Sequence, residues 1–106
     1  MVENECACFS SPHAPRILLG VLGMDERYAE AAILACTACG QLWLRLHEEN
    51  EAFTASGRWY LGAVTAEQAR QMTADAARSV LEAMEWYYYG GSYTNGQVGK
   101  TSGQVF

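Results

Sequence analysis

The four cysteines of the chain fall into two close pairs, and this spacing limits the possible folds more than any other feature. The pairs are Cys6-Ala-Cys8 and Cys36-Thr-Ala-Cys39, with residues 9–35 between them. A tetrahedral zinc site needs four soft ligands that converge on one point. Two pairs of near neighbours can supply them, because each pair needs only one tight turn. The sequence therefore predicts that two distant segments meet around a single ion.

The second pair carries the stronger signal. Gly40 directly follows Cys39, and glycine permits the turn in which backbone N–H groups point at the sulfur atoms. The first pair has the unusual spacing Cys-x-Cys, and the segment between the pairs exceeds the common length of about 15–20 residues. His13 could replace one cysteine as a ligand, although residues 11–15 read more simply as a rigid loop with an exposed imidazole.

Several roles for the thiols stay open from spacing alone. Iron can use the same ligands, disulfides can form in an oxidising compartment, and free thiols can pack as small hydrophobic side chains. We favour zinc bound by all four cysteines, Cys6, Cys8, Cys36 and Cys39. Four sulfur ligands leave no coordination position for water, so such a site stabilises the fold and does not catalyse.

The segment Cys36-Thr-Ala-Cys39-Gly40-Gln41-Leu42-Trp43 is a metal-binding knuckle that runs directly into an apolar strand. In this respect the chain resembles the zinc ribbons of the rubredoxin-like group, over residues 6–63. The resemblance implies a small antiparallel sheet with a metal at one end, and it allows iron as well as zinc. The first cysteine pair departs from the family pattern.

Charge argues against nucleic acids and membranes as partners. The net charge is −5, and Lys100 is the only lysine, whereas phosphate backbones and anionic bilayers attract clustered Lys and Arg. A basic protein partner, or a simple contribution of the charge to solubility, fits this composition better. The start of the sequence, Met-Val-Glu-Asn-Glu, is acidic where a signal peptide is basic, so we expect a cytoplasmic protein.

Alternating apolar residues predict an α+β fold with a small antiparallel sheet. Strands are predicted at residues 28–35, 42–47 and 58–64, while residues 17–22 could form a strand or a buried loop. In the second of these strands, one side carries Leu42, Leu44 and Leu46, and the other carries Trp43, Arg45 and His47.

An amphipathic helix is predicted after the strands, over residues 65–89. Thr65 and Gln68 fit a capping box at its start, and apolar residues then recur at spacings of three and four. The sequence leaves room for a break into two helices near Thr73. Arg78 is spaced to pair with acidic neighbours on the solvent side of the helix.

The remaining residues, 90–106, form a predicted glycine-rich tail. Asn95-Gly96 is a good hairpin turn, so the tail could add a strand or hairpin to the sheet, or it could be a mobile loop. Aromatic residues cluster near the double glycine and can either cover the core or form a surface for a partner or ligand. The candidate residues of that surface are Arg58, Trp59, Tyr87, Tyr93 and Lys100.

Together these features predict one domain, residues 1–106, with a zinc-ribbon-like β part, a helical part and a tail. We expect a non-enzymatic protein-interaction module with structural zinc and no catalytic residues. Two alternatives remain. One is an iron electron carrier similar to rubredoxin, and the other is an enzyme that binds a small molecule at the aromatic and glycine-rich surface.

Overall fold

A computed structural model describes residues 6–48, 57–92 and 96–105 of the chain. Within these ranges, six strands form one antiparallel sheet in which the spatial order follows the chain order. The strands are β1 Arg16–Met24, β2 Glu30–Cys36, β3 Leu42–Glu48, β4 Arg58–Val64, β5 Tyr87–Gly90 and β6 Gly99–Thr101. The helices α1 Ala66–Gln71 and α2 Ala74–Glu82 connect β4 to β5. The predicted α+β class is confirmed.

The helical segment begins as predicted and breaks where the sequence allowed a break. Thr65 and Gln68 form the predicted capping box at the start of α1. The side chain of Thr73 then caps α2 by accepting a hydrogen bond from the backbone N–H of Ala76. Each cap satisfies an N–H group that has no partner within its helix, which allows two short helices to replace one long helix.

The prediction of helix up to residue 89 is wrong. Helix α2 ends at Glu82, and residues Tyr87–Gly90 form strand β5 between β4 and β6. Strand geometry points neighbouring side chains to opposite faces of the sheet. Tyr87 and Tyr88 can therefore each be buried in a different core, which consecutive residues at the end of a helix could not achieve.

The sheet carries a hydrophobic core on each face. On one face, leucines of β3 pack against helix residues such as Leu81, as the predicted apolar stripe requires. On the other face, Trp43 is fully buried together with Cys8 and Tyr88. The alternation predicted for β3 is confirmed, and its second side is also covered at Trp43.

Part of the predicted glycine-rich tail extends the sheet. Residues Gly99–Thr101 form β6, which pairs with β5. Tyr93 and Asn95 lie outside the described residues, so the predicted hairpin turn at Asn95-Gly96 is not described. None of the described helices has the length and apolar character needed to cross a bilayer.

An ion-pair network joins α2 to the turn between β1 and β2 and to the end of β3. The guanidinium of Arg78 lies 3.1 Å from Asp25 and 3.6 Å from Glu48, and Arg58 also pairs with Glu48. Arg78 therefore faces the sheet and not the solvent side of the helix. Burial acts to raise the pKa of Asp25, but the N–H groups of Ala29 and Arg27, with Arg78, outweigh burial and lower that pKa.

Removing the charge of Asp25 should weaken the fold in a pH-dependent way. Because the pKa is lowered in the folded state, the carboxylate stabilises the fold at pH values above its ordinary pKa of about 3.9. This stabilisation is lost as the pH falls through the lowered pKa. We expect Asp25→Asn to reduce the free energy of unfolding by about 3 kcal/mol at pH 7. The difference from the unsubstituted protein should shrink below about pH 4 in urea denaturation.

The control for this measurement is Asp75→Asn, because Asp75 is exposed in the first turn of α2. Its loss should cost about 0.5 kcal/mol, the size of a helix-dipole interaction. Equal effects of the two substitutions at pH 7 would contradict the role assigned to Asp25.

Candidate metal centre

The second cysteine pair forms the turn between β2 and β3. Strand β2 ends at Cys36, and the N–H of Gly40 donates to the carbonyl of Cys36 over 2.9 Å. Gly40 has a φ of 78°, a conformation that glycine adopts without strain. The N–H of Ala38 points at the sulfur of Cys36 over 3.4 Å. The predicted knuckle, with backbone N–H groups directed at sulfur, is therefore present.

The first cysteine pair lies on a short 3-10 turn formed by residues Ala7–Phe9. Cys6 precedes this turn in an extended conformation, and the N–H of Phe9 donates to the carbonyl of Cys6 over 3.0 Å. Cys8 lies inside the turn and is fully buried. A tight turn thus brings two cysteines at the unusual Cys-x-Cys spacing to the same place.

The two pairs meet at one end of the sheet. Sulfur atoms of all four cysteines, Cys6, Cys8, Cys36 and Cys39, lie within 4.8 Å of one another. The contacts run between the pairs: the distance from Cys6 Sγ to Cys36 Sγ is 3.7 Å, and that from Cys8 Sγ to Cys39 Sγ is also 3.7 Å. Among the described residues, this is the cluster that can hold a metal ion.

These distances fit a tetrahedral metal better than a disulfide. With metal–sulfur bonds of about 2.3 Å, the edges of an ideal tetrahedron are about 3.8 Å long, close to the two sulfur–sulfur contacts of 3.7 Å. A disulfide bond is about 2.05 Å long, and all four cysteines are free thiols. The donor set therefore fits an ion such as zinc or iron with little rearrangement.

The thiols differ in how readily they lose a proton. Burial raises the pKa of Cys8, and the neighbouring thiols raise it further. Burial also acts to raise the pKa of Cys36, but the N–H groups of Cys39 and Ala38 outweigh burial and lower that pKa to about 6. The second knuckle therefore offers a thiolate at neutral pH.

Side chains from three strands hold in place the turn that carries Cys6 and Cys8, which is called the first knuckle below. Arg16, at the start of β1, donates to the carbonyl of Cys8 over 2.9 Å and to three other carbonyls of the segment. Tyr88 in β5 donates to the same carbonyl of Cys8 over 3.0 Å, and Lys100 in β6 donates to the carbonyl of Phe9 over 2.7 Å. The knuckle is thus attached to the sheet by hydrogen bonds as well as by its sulfur atoms.

Sequence reasoning identified the four cysteines but missed Arg16 and Tyr88. A usable signal existed for Arg16, because it is the only charged residue between Glu5 and Asp25. A single guanidinium in an apolar stretch commonly has a specific partner, and here it also stacks over Trp43 at 4.4 Å. His13, the alternative ligand, lies outside the cluster of sulfur atoms.

The four described residues of the predicted partner surface do not form one exposed patch. Tyr87 is fully buried in the core beneath the helices, and Arg58 is engaged with Glu48. Trp59 packs in the core on the opposite face, where Lys100 lies 4.2 Å from the ring of Trp86. Tyr93, the fifth candidate, is outside the described residues. The burial of Tyr87 follows from its position in β5, which the sequence analysis assigned to a helix.

Comparison with protein-family models, curated proteins and solved structures finds no match to the chain.

Proposed function

We propose that the chain is a small zinc-binding domain in which the metal is structural and which acts through contacts with other proteins. The observation that carries this proposal is the convergence of four cysteine sulfur atoms within 4.8 Å. The second knuckle supports the zinc-ribbon resemblance, because it is a β-hairpin turn with an N–H group directed at sulfur. A site with four thiolates belongs in a reducing compartment, which agrees with the proposed cytoplasmic location.

The chemistry of the ligands supports a structural role. Four thiolates complete the tetrahedral coordination of zinc and leave no position for a substrate or an activated water molecule. When bound, zinc would cross-link the segment before β1 to the turn between β2 and β3. The chain's own residues hold the two knuckles at this distance, since Arg16 and Tyr88 fix the carbonyl of Cys8.

Metal analysis of the purified protein tests the proposal. We expect one zinc per chain and no visible absorption, and we expect a thiol reagent to modify the cysteines only after a chelator has removed the metal. Protein that is purified without metal from zinc-supplemented cells and has four reactive thiols would contradict the zinc assignment. The control is protein with both Cys6 and Cys36 replaced by serine, which should retain no stoichiometric zinc.

Iron is the second candidate metal, and one observation favours it. Cys39 is exposed, so an iron ion held by these sulfurs would lie near the surface, where electrons can be exchanged with a partner. An iron–thiolate centre is coloured and can be reduced reversibly, whereas zinc has no redox chemistry in proteins. Red protein with one iron per chain and a reversible reduction wave would select the electron carrier over the structural zinc domain.

The other alternative, an enzyme that binds a small molecule, has a candidate pocket at the aromatic surface. A groove of about 500 Å³ is lined by Trp86 and Lys100, with Glu85 as its acidic residue. The ammonium group of Lys100 is already bound to the carbonyl of Phe9 and lies over the ring of Trp86. These contacts hold the first knuckle against the sheet. They therefore favour a structural role for Lys100 over a catalytic role.

A further inference from the structure

Strand β1 forms an unusually apolar edge of the sheet. Among the described residues it pairs only with β2, and it lies at the end of the strand order. Five of its large side chains are more than half exposed, namely Ile17, Leu18, Leu19, Val21 and Met24. No charged residue occurs between Arg16 and Asp25. An apolar edge of this length offers unpaired backbone groups and hydrophobic side chains together, a combination that favours pairing with another strand.

The opposite edge of the same sheet has the features that prevent such pairing. Strand β6 is three residues long and carries Lys100 at its centre, and short charged strands are a common protection of sheet edges. The two edges of the same sheet thus differ in length and in charge. The exposure of β1 is therefore a property of that strand and not a general feature of the fold.

Two irregularities in β1 collect apolar side chains on one face. The pairing with β2 shifts register between Leu18 and Gly20, and again between Val21 and Gly23. As a result Leu18, Val21 and Met24 pair with alternate residues of β2, whose own side chains point to the face that carries Trp43. The edge thus presents a row of three exposed apolar side chains next to its free backbone.

We propose that β1 pairs antiparallel with β1 of a second copy of the chain, which would join two sheets across a two-fold axis. The inference rests on the proposed interaction role and names its surface and its partner. The nine residues of β1 extend about 30 Å, and the two register shifts would divide the new strand pair into shorter hydrogen-bonded stretches. The pairing would be isologous, because each copy contributes the same strand and covers the other's apolar residues.

The distribution of charge favours a second copy in the antiparallel direction. Arg16 lies at one end of β1, where its guanidinium binds backbone carbonyls and no carboxylate of the described residues, so its charge is not cancelled by an ion pair. Beyond the other end, Asp25 and Arg27 are already paired with Arg78 and Glu48, and the exposed Glu26 between them leaves that end acidic. Antiparallel pairing brings the basic end of each strand beside the acidic end of the other, whereas parallel pairing would bring Arg16 beside its own copy. A strand without internal charges also buries no ion in such a pair.

Sedimentation velocity on metal-loaded protein tests this proposal. A single strand pair is a small interface, so we expect association in the micromolar range. The mass should rise from 11.6 kDa toward twice that value between about 1 and 200 µM protein. A chain that stays monomeric over this range would overturn the proposal. The pairing partner of β1 would then have to be a strand from a different protein.

Two variants and one exchange measurement locate the interface. Val21→Lys should weaken dimerisation by about tenfold or more, while the matched Val98→Lys, at a 38% exposed site outside the sheet, should not. Hydrogen–deuterium exchange of the β1 amides should slow as the protein concentration rises. Dimerisation without this protection, or unaffected by Val21→Lys, would place the interface elsewhere and overturn the proposal.

Zinc is measured on the same samples, so the two proposals can fail separately. Val21 lies outside the cysteine cluster, and its variant should keep one zinc per chain. A zinc-loaded monomer contradicts only the dimer, and a metal-free dimer contradicts only the zinc assignment.

Discussion

Replacing Cys39 with serine should lower the melting temperature of metal-loaded protein by about 15–30 °C. A metal present at 1,000 times its dissociation constant stabilises a folded protein by about 4 kcal/mol, and 1 kcal/mol corresponds to about 4–8 °C in a domain near this size. Serine is a much weaker ligand for zinc than a thiolate, so most of this stabilisation is lost. Differential scanning calorimetry at a fixed zinc concentration measures the change.

Cys39 is the best position for this test because its side chain is exposed. An exposed cysteine contributes little to packing, so the substitution should leave the metal-free protein almost unchanged. The control is therefore the same pair of melting curves in excess chelator, where the two proteins should unfold within about 2 °C of each other. If the serine variant melts with the unsubstituted protein in zinc as well, Cys39 is not a ligand.

The position of the cysteine cluster could be predicted because its signal is local in the sequence. Cys36, Cys39 and Gly40 specify a tight turn by their spacing, and the turn forms at the predicted place between two strands. The groups that hold the first knuckle could not be found in this way. Arg16 and Tyr88 reach the carbonyl of Cys8 from strands β1 and β5, and such contacts depend on tertiary structure that spacing does not encode.

The same distinction explains which parts of the fold could be predicted. Capping at Thr65 and Thr73 depends on residues three positions away, and both caps form. The segment Tyr87–Gly90 has apolar residues at consecutive positions, so periodicity cannot separate a strand from the end of a helix. Its state is decided by pairing with β4 on one side and β6 on the other. The exposure of β1 likewise depends on its place at the edge of the sheet.

Trp43→Ala should reduce the free energy of unfolding by about 3–5 kcal/mol, the usual cost of removing a large buried aromatic side chain. Trp43 is fully buried, and its ring lies 5.4 Å from that of Phe9 and 5.7 Å from that of Tyr88. It also lies under the guanidinium of Arg16. Its loss removes the surface on which the first knuckle rests, so we expect faster release of zinc to a chelator as well.

A matched substitution on the other face of the sheet separates these two effects. Leu46 is 1% exposed in the core beneath the helices, and Leu46→Ala should cost about 2–5 kcal/mol. Because Leu46 belongs to the core away from the knuckles, its loss should leave the rate of zinc release from folded protein unchanged. Zinc release is measured with a chromogenic chelator under conditions in which both variants stay folded. Equal release from the two variants would mean that Trp43 acts only through global stability. Faster release from Trp43→Ala alone would show that the core around Trp43 holds the first knuckle against the metal.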